Sequence, residues 1–348
     1  MDIEKLIRPN IRRLKPYRSA RHDFTSGILL DANENPFGSA ISVDGLSLNR
    51  YPDPYQRELR AAIANLHSVQ PENVFAGVGS DEVIDLLIRI FCEPQADSLM
   101  VLEPTYGVYR VAADVNNVEV LSCLLDDEFQ INVDAARRQL TRSTKILFCC
   151  SPNNPTGNLL RRDDILTLCE STRAMVVVDE AYADYAHSRS LTAEIARFPN
   201  LIVLRTLSKA WGLAAIRLGY AVAHPLVISY LLKVKAPYSI NILTSTEALR
   251  ALKNDEHVRK SVASTIAERE RLRSALSQLA GVECVFPSDA NFLLVRFTRA
   301  RATYEALAQR GVIVRDRSTE PKLTGCLRIS VGTPEQNDFL LTALRDLA

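Results

Sequence analysis

The chain has 348 residues, 47% of them hydrophobic and 24% charged, and its 42 basic residues nearly balance its 41 acidic ones at a formal net charge of +1. That balance argues against nucleic-acid and membrane partners, although a compact anion site needs only a few local charges. No run of 18 apolar residues occurs, the charged start "MDIEKLIRPNIRRLKPYRSAR" is no signal peptide, the seven cysteines show no C-x-x-C spacing and the five histidines are scattered; the expectation is a cytoplasmic chain with reduced thiols and no metal site.

In chain order, the first 30 residues carry Pro9, Pro16 and many charges, and are expected to form an arm that joins a small domain or a partner subunit. "GVGSDEVIDLL" follows, starting at Gly77. It falls short of G-x-G-x-x-G because Glu82 takes the last position, so a dinucleotide site is not implied. It offers Ser80 as the N-cap of a helix with Asp81 and Glu82 in the first turn, and the free N–H groups there suit one phosphate. Six short apolar runs then read as buried strands: "SLMVLE" (98–103), "VEVLSCLL" (118–125), "KILFCC" (145–150), "AMVVVDE" (174–180), "LIVLRT" (201–206) and "RLGYAVA" (217–223). They alternate with amphipathic stretches such as 80–93 and 161–173, which predicts a parallel, doubly wound α/β sheet. The tail differs. A polar helix near 254–280 precedes "NFLLVRF", "ATYEALAQRG", "VIVRD", "GCLRISV" and a last helix, an order that suits a smaller α+β domain. The expected units are therefore an arm at 1–30, a large domain at 31–240 and a small domain at 241–348.

In an open parallel sheet, ligands sit at the carboxyl ends of the strands. Here those ends carry Asn153 and Asn154; Asp179, Glu180 and Tyr182; Thr206, Ser208 and Lys209; and Tyr106. "SPNNPTG" by itself is an ordinary turn. Beside the other strand ends it presents an amide to a crevice that also holds a lysine, a carboxylate and phenols. One phosphate, one lysine and one aspartate match pyridoxal phosphate. Lysine binds its aldehyde, and a carboxylate keeps its pyridine nitrogen protonated so that the ring accepts electrons.

"TLSKAWGLAAIRLGY", with Ser208, Lys209 and Arg217, resembles the cofactor-lysine segment of fold-type I aminotransferases, and "SPNNPTG" and "DEAY" stand in the matching order. Across the whole chain, "RPNIRRLKPYRSAR", "LDANENPFGS", "NRYPDPYQRELR", "LLIRIFCEP", "KVKAPY" and "GCLRISVGT" resemble the histidinol-phosphate aminotransferases. The resemblance implies a large domain with a mostly parallel seven-stranded sheet flanked by helices, and a smaller α+β domain. It implies that Lys209 holds the cofactor aldehyde, that Asp179 pairs with the pyridine nitrogen, and that Asn154 and Tyr182 bond the ring oxygen. Tyr106 would stack on the ring. Ser80, Asp81, Thr206, Ser208 and Arg217 would surround the phosphate end. Tyr51 would reach the neighbouring subunit's cofactor phosphate, which implies a homodimer with shared sites. Arg328, helped by Arg315 and Tyr17, would hold the phosphate of histidinol phosphate, with Asn154 also facing the substrate. The reaction implied is transamination of L-histidinol phosphate with 2-oxoglutarate in histidine biosynthesis. Aromatic amino-acid transamination and threonine-phosphate decarboxylation are the alternatives on the same fold. Trp211 and Ala215 depart from the pattern, standing where smaller aromatic residues or glycine follow the lysine.

Overall fold

The computed structural model describes residues 2–22, 26–43 and 45–347. Its larger sheet contains β1 (Val74–Val78), β2 (Ser98–Glu103), β3 (Glu119–Leu124), β4 (Thr144–Cys150), β5 (Met175–Asp179), β6 (Leu201–Thr206) and β7 (Leu218–Ala223), in the order β1-β7-β6-β5-β4-β2-β3. Strand β7 runs antiparallel to both of its neighbours, β1 and β6. The pairs β2–β3, β2–β4, β4–β5 and β5–β6 are parallel. Strands covered on both faces read as continuous apolar runs, and "MVVVD" is buried throughout. Alternation divides their side chains between two layers. Val176 and Val178 join one core, Met175 and Val177 the other.

The helices are α1 (Pro9–Arg13), α2 (Arg57–His67), α3 (Gly79–Phe91), α4 (Val108–Val115), α5 (Val133–Gln139), α6 (Arg162–Ser171), α7 (Pro225–Val234), α8 (Ile242–Leu252), α9 (Asp255–Leu276), α10 (Ala300–Gln309) and α11 (Pro334–Arg345). Helices α3, α4 and α7 cover one face of the large sheet, with Ile84, Leu87, Ala112 and Leu231 buried there. Helices α2, α5, α6 and α8 cover the other, through Leu59, Ala136, Leu168 and Ala248. A second, antiparallel sheet of β8 (Val282–Val285), β9 (Phe292–Phe297), β10 (Arg315–Asp316) and β11 (Cys326–Ser330) has the order β10-β11-β9-β8. Its core packs Leu272 and Leu276 of α9 with Leu307 of α10 and Leu340 of α11.

Three placements differ from the sequence reading. Strand β1, "VFAGV", was not among the expected strands, because five residues with a central glycine carry little strand signal. The N-terminal arm packs on the large sheet's helices, not on the small unit. Ile3 and Ile7, four residues apart, bury beside Phe91 and Tyr230. Arg8 donates its N–H to the Ile90 carbonyl at 3.0 Å, and its guanidinium pairs with Glu93 at 3.1 Å. Helix α8, expected in the small unit, shares a core with Leu59 and Ile63 of α2. Among the described residues, no helix is long and apolar enough to cross a membrane.

Candidate active site

A cavity of about 470 Å³ opens at the carboxyl ends of β4, β5 and β6. It is lined by Ser80, Asp81, Tyr106, Asn154, Asp179, Tyr182, Thr206, Ser208, Lys209 and Arg217, and across from them by Arg315, Arg317 and Arg328. The sheet that presents the first group is buried on both faces, so these side chains stand on a rigid base.

The anion-binding corner is built by close approach of two backbones. Helix α3 begins at Gly79, whose φ of +75° turns the chain from β1 into the helix. Ser80 is thus not the N-cap as expected; it lies inside the first turn. The Gly79 N–H goes to the Arg217 carbonyl at 2.9 Å, and the next N–H groups, of Ser80 and Asp81, lack helical partners. Glu82 reaches back to accept from the Val78 N–H at 2.5 Å. Strand β7 crosses directly beneath: a Cβ at Gly219 would lie 2.1 Å from the Ser80 nitrogen, so only glycine fits. Thr206 locks the adjoining turn, donating from Oγ1 to the Leu218 carbonyl at 3.2 Å and accepting from the Ser208 N–H at 3.1 Å. Arg217 faces Asp81 at 3.5 Å.

Asp179 ends β5 fully enclosed. Tyr109 Oη donates to Oδ2 at 2.8 Å and the Ala181 N–H donates to Oδ1 at 3.1 Å. Burial outweighs these bonds and pushes the carboxyl up to about 6. Such a group gains from a cationic N–H, as a pyridinium would provide. Lys209 is shifted the other way. Burial lowers its proton affinity, and the next cause is Arg328, with Arg217 contributing less. Its Nζ stands 5.4 Å from the Tyr182 ring centre. Burial raises the phenols of Tyr106 and Tyr182, which keeps both hydroxyls protonated.

In "SPNNPTG" the two asparagines divide the work. Asn153 is structural: Nδ2 donates to the Pro104 carbonyl at 2.8 Å and to Thr156 at 2.7 Å. Asn154 faces the cavity, donating to Tyr182 Oη at 3.4 Å and accepting from Arg328. Gly157 has a φ of +87°, and a Cβ there would strike Ser288, so the loop lies tight on the small unit. Glu180, beside Asp179, anchors structure by accepting from Ser190, the Leu191 N–H and Arg205. Trp211 packs against the cluster of Tyr182 and Phe292.

Two expected residues do not line the cavity. Tyr17 is 73% exposed. Tyr51 stacks on Tyr238 at 4.5 Å and borders a separate cleft with Asn33 and Asn241. Two lining or supporting residues were missed, and both had a period signal. Tyr109 follows Tyr106 by three residues at the start of a helix, hence on nearly the same face. Arg317 follows Arg315 by two residues in an extended segment, hence on the same side.

A lysine and a buried carboxylate stand at the ends of the adjacent strands β6 and β5, and an anion-cradling helix start follows β1 on the far side of β7. The chain belongs to the aminotransferase class I and II family, whose profile matches residues 24–344. It is 46% identical over 348 residues to the histidinol-phosphate aminotransferase of Parabacteroides distasonis, covering 99% of each chain. It is 46% identical over 345 residues to that of Cytophaga hutchinsonii, covering 99% of this chain and 98% of that one. The fold matches the histidinol-phosphate aminotransferase from Sinorhizobium meliloti in complex with pyridoxal-5'-phosphate, at a TM-score of 0.80 and 22% identity over 86% of this chain and 83% of that one. It also matches the L-threonine-O-3-phosphate decarboxylase from Porphyromonas gingivalis, at 0.74 and 24% over 86% and 91%. At such identities the fold alone is shared, and fold does not choose between those reactions.

Proposed function

We propose that this chain is a pyridoxal-phosphate-dependent aminotransferase that takes the amino group of L-histidinol phosphate and passes it to 2-oxoglutarate, giving imidazole-acetol phosphate and glutamate in histidine biosynthesis. The carrying observation is a cavity lined by two sets of anion-binding groups, the start of α3 with Ser208 and Arg217, and the three arginines 315, 317 and 328. One fits the cofactor phosphate and the other a phosphate on the substrate.

The residues present fit the cofactor. Its phosphate takes the Ser80 and Asp81 N–H groups with Ser208 and Arg217. Asp179 would hold its ring nitrogen, Asn154 and Tyr182 its ring oxygen, and Tyr106 its face. When bound, it supplies the aldehyde that carries the amino group and a ring that accepts electrons. Lys209 holds that aldehyde at rest. Once displaced, its amine is the general base that moves a proton from the substrate's amino-bearing carbon. Its lowered proton affinity suits it to that role. Asp179 would keep a proton on the ring nitrogen, with Tyr109 holding Asp179 oriented. Arg328 and Arg315 hold the substrate's anionic end, a task for which the planar guanidinium fork is suited.

The working unit is read as a cytoplasmic homodimer. Ile28, Leu30 and Phe37 are more than four-fifths exposed in the single chain, a patch that a second copy would cover. Tyr51 beside this patch would then serve the neighbouring site, and Tyr17 would complete its own only in the assembly.

The test is the visible spectrum of the purified, cofactor-loaded protein. A yellow band lost on adding L-histidinol phosphate and restored by 2-oxoglutarate is the expected result. Bleaching by phenylalanine alone would move the assignment to aromatic amino acids. Release of carbon dioxide from threonine phosphate without 2-oxoglutarate would move it to a decarboxylase.

A further inference from the structure

We propose that Arg317 is a specificity-determining residue, reading the second negative charge of the substrate's anionic end and held ready by Glu320. The assignment rests on the phosphate-ester reading above. Strand β10 sets Arg315 opposite Arg328 across the β10–β11 pair. The Arg317 N–H donates to the Cys326 carbonyl at 2.9 Å, which continues that ladder. Its side chain therefore falls on the Arg315 side and lines the same cavity.

The guanidinium is held by one end only. Nη1 donates to Glu320 Oε1 at 2.7 Å. Nε of Arg317 and Oε2 of Glu320 are both buried without partners. A forked pair would have satisfied more of these atoms. The single contact leaves donor capacity on the guanidinium for a ligand while fixing its position. The local charge count has the same meaning. Three guanidiniums line the cavity and one of them, Arg317, is paired with a carboxylate, a sum of two positive charges that matches the dianion of a phosphate monoester. Without that dianion the cations repel one another. Arg328 loses proton affinity first through burial and next through Arg317. An uncharged alcohol in place of the phosphate would leave this repulsion uncompensated, so the wall selects against it.

The experiment compares kcat/KM for L-histidinol phosphate with that for L-histidinol, which carries a neutral hydroxyl in place of the phosphate, in the holoenzyme and in R317Q and R317K. In R317Q the preference for the phosphate ester falls roughly 10- to 100-fold, the loss of one charge-assisted contact. In R317K it falls less, because the charge is kept and the fork is lost. The cofactor's visible band reports whether each variant keeps its other wall, and if R317Q has lost it, R317K decides by the same ratio. A preference within about twofold of wild type in variants that keep the band overturns the role of Arg317 and leaves the reaction assigned. A wild-type enzyme that reacts with neither compound overturns the phosphate-ester reading itself.

Discussion

Asp179→Asn separates what the carboxylate does for the fold from what it does for chemistry. In the cofactor-free protein Asp179 is wholly buried and raised from 3.8 to about 6, first by burial. Ionising it is therefore about 3 kcal/mol harder in the folded protein than in the unfolded chain. The folded state binds the proton more tightly, so wild-type stability falls as pH rises from 3.8 through about 6 and stays reduced above that. Asparagine fills the same space and does not titrate. Its amide, placed between Tyr109 Oη and the Ala181 N–H, costs about 1 kcal/mol in imperfect pairing. Urea unfolding of the cofactor-free proteins should then find the variant equal to wild type near pH ~4.5 and more stable by about 2 kcal/mol near pH ~7.5. Adding pyridoxal phosphate should invert the order, and turnover in the variant should drop about 10- to 150-fold for the lost pairing to a charged group. A stability difference that does not change with pH, or a variant less stable at the higher pH, would refute the claim that Asp179 is held against its own burial for the sake of a cation.

Lys209→Ala should abolish turnover, measured as glutamate formed from 2-oxoglutarate, while far-ultraviolet circular dichroism stays that of wild type; turnover at the wild-type rate would remove Lys209 from the mechanism. Gly219→Ala places a methyl 2.1 Å from the Ser80 nitrogen and 2.4 Å from the Gly79 carbonyl carbon, both backbone atoms that no rotamer can relieve. Its expected effects are a loss of roughly 1–3 kcal/mol in stability and at least a roughly tenfold weaker cofactor affinity by absorbance titration. Unchanged affinity would mean that the first turn of α3 is not where the cofactor's phosphate binds.

The legible part of the site was the part that violates a strand's own preferences. Asp179, Lys209 and Asn154 end apolar runs where nothing about a buried strand calls for charge or amide, so their chemistry stands out in sequence. Strand direction does not. "LGYAVA" is as apolar as the parallel strands of the sheet, and only pairing reveals that β7 runs antiparallel to both of its neighbours. Tyr109 was hidden for the opposite reason. It sits in a helix among apolar residues and is fully buried, so it reads as core, and its hydroxyl becomes meaningful only at 2.8 Å from Asp179. Ser80 lies two residues past the true N-cap, Val78, because Gly79 can start a helix by itself through a positive φ. The arm misled through composition. Its charges and prolines suggest an arm that joins the small domain or a partner subunit, whereas Ile3 and Ile7 anchor it beside α3 and α7.

The two walls answer different demands on one cavity. The amino-bearing carbon is common to both half-reactions, so Lys209 and Asp179 need not move between them and stand on a sheet with little freedom to do so. The anionic ends differ, a phosphate with no carboxylate in the donor and two carboxylates in the acceptor. A lone arginine matched to one carboxylate would leave the other charge unpaired, a cost of roughly 1–3 kcal/mol where it is buried. The excess of two positive charges among Arg315, Arg317 and Arg328 over Glu320 meets both ligands by charge and not by shape. Asn154 ties that wall to the chemistry, since one amide accepts from Arg328 and donates to Tyr182. A ligand that takes the Nη1 donor of Arg328 competes with Asn154 for it. The group expected at the cofactor's ring oxygen thereby feels the charge state of the far end of the cavity, whichever of the two substrates is present.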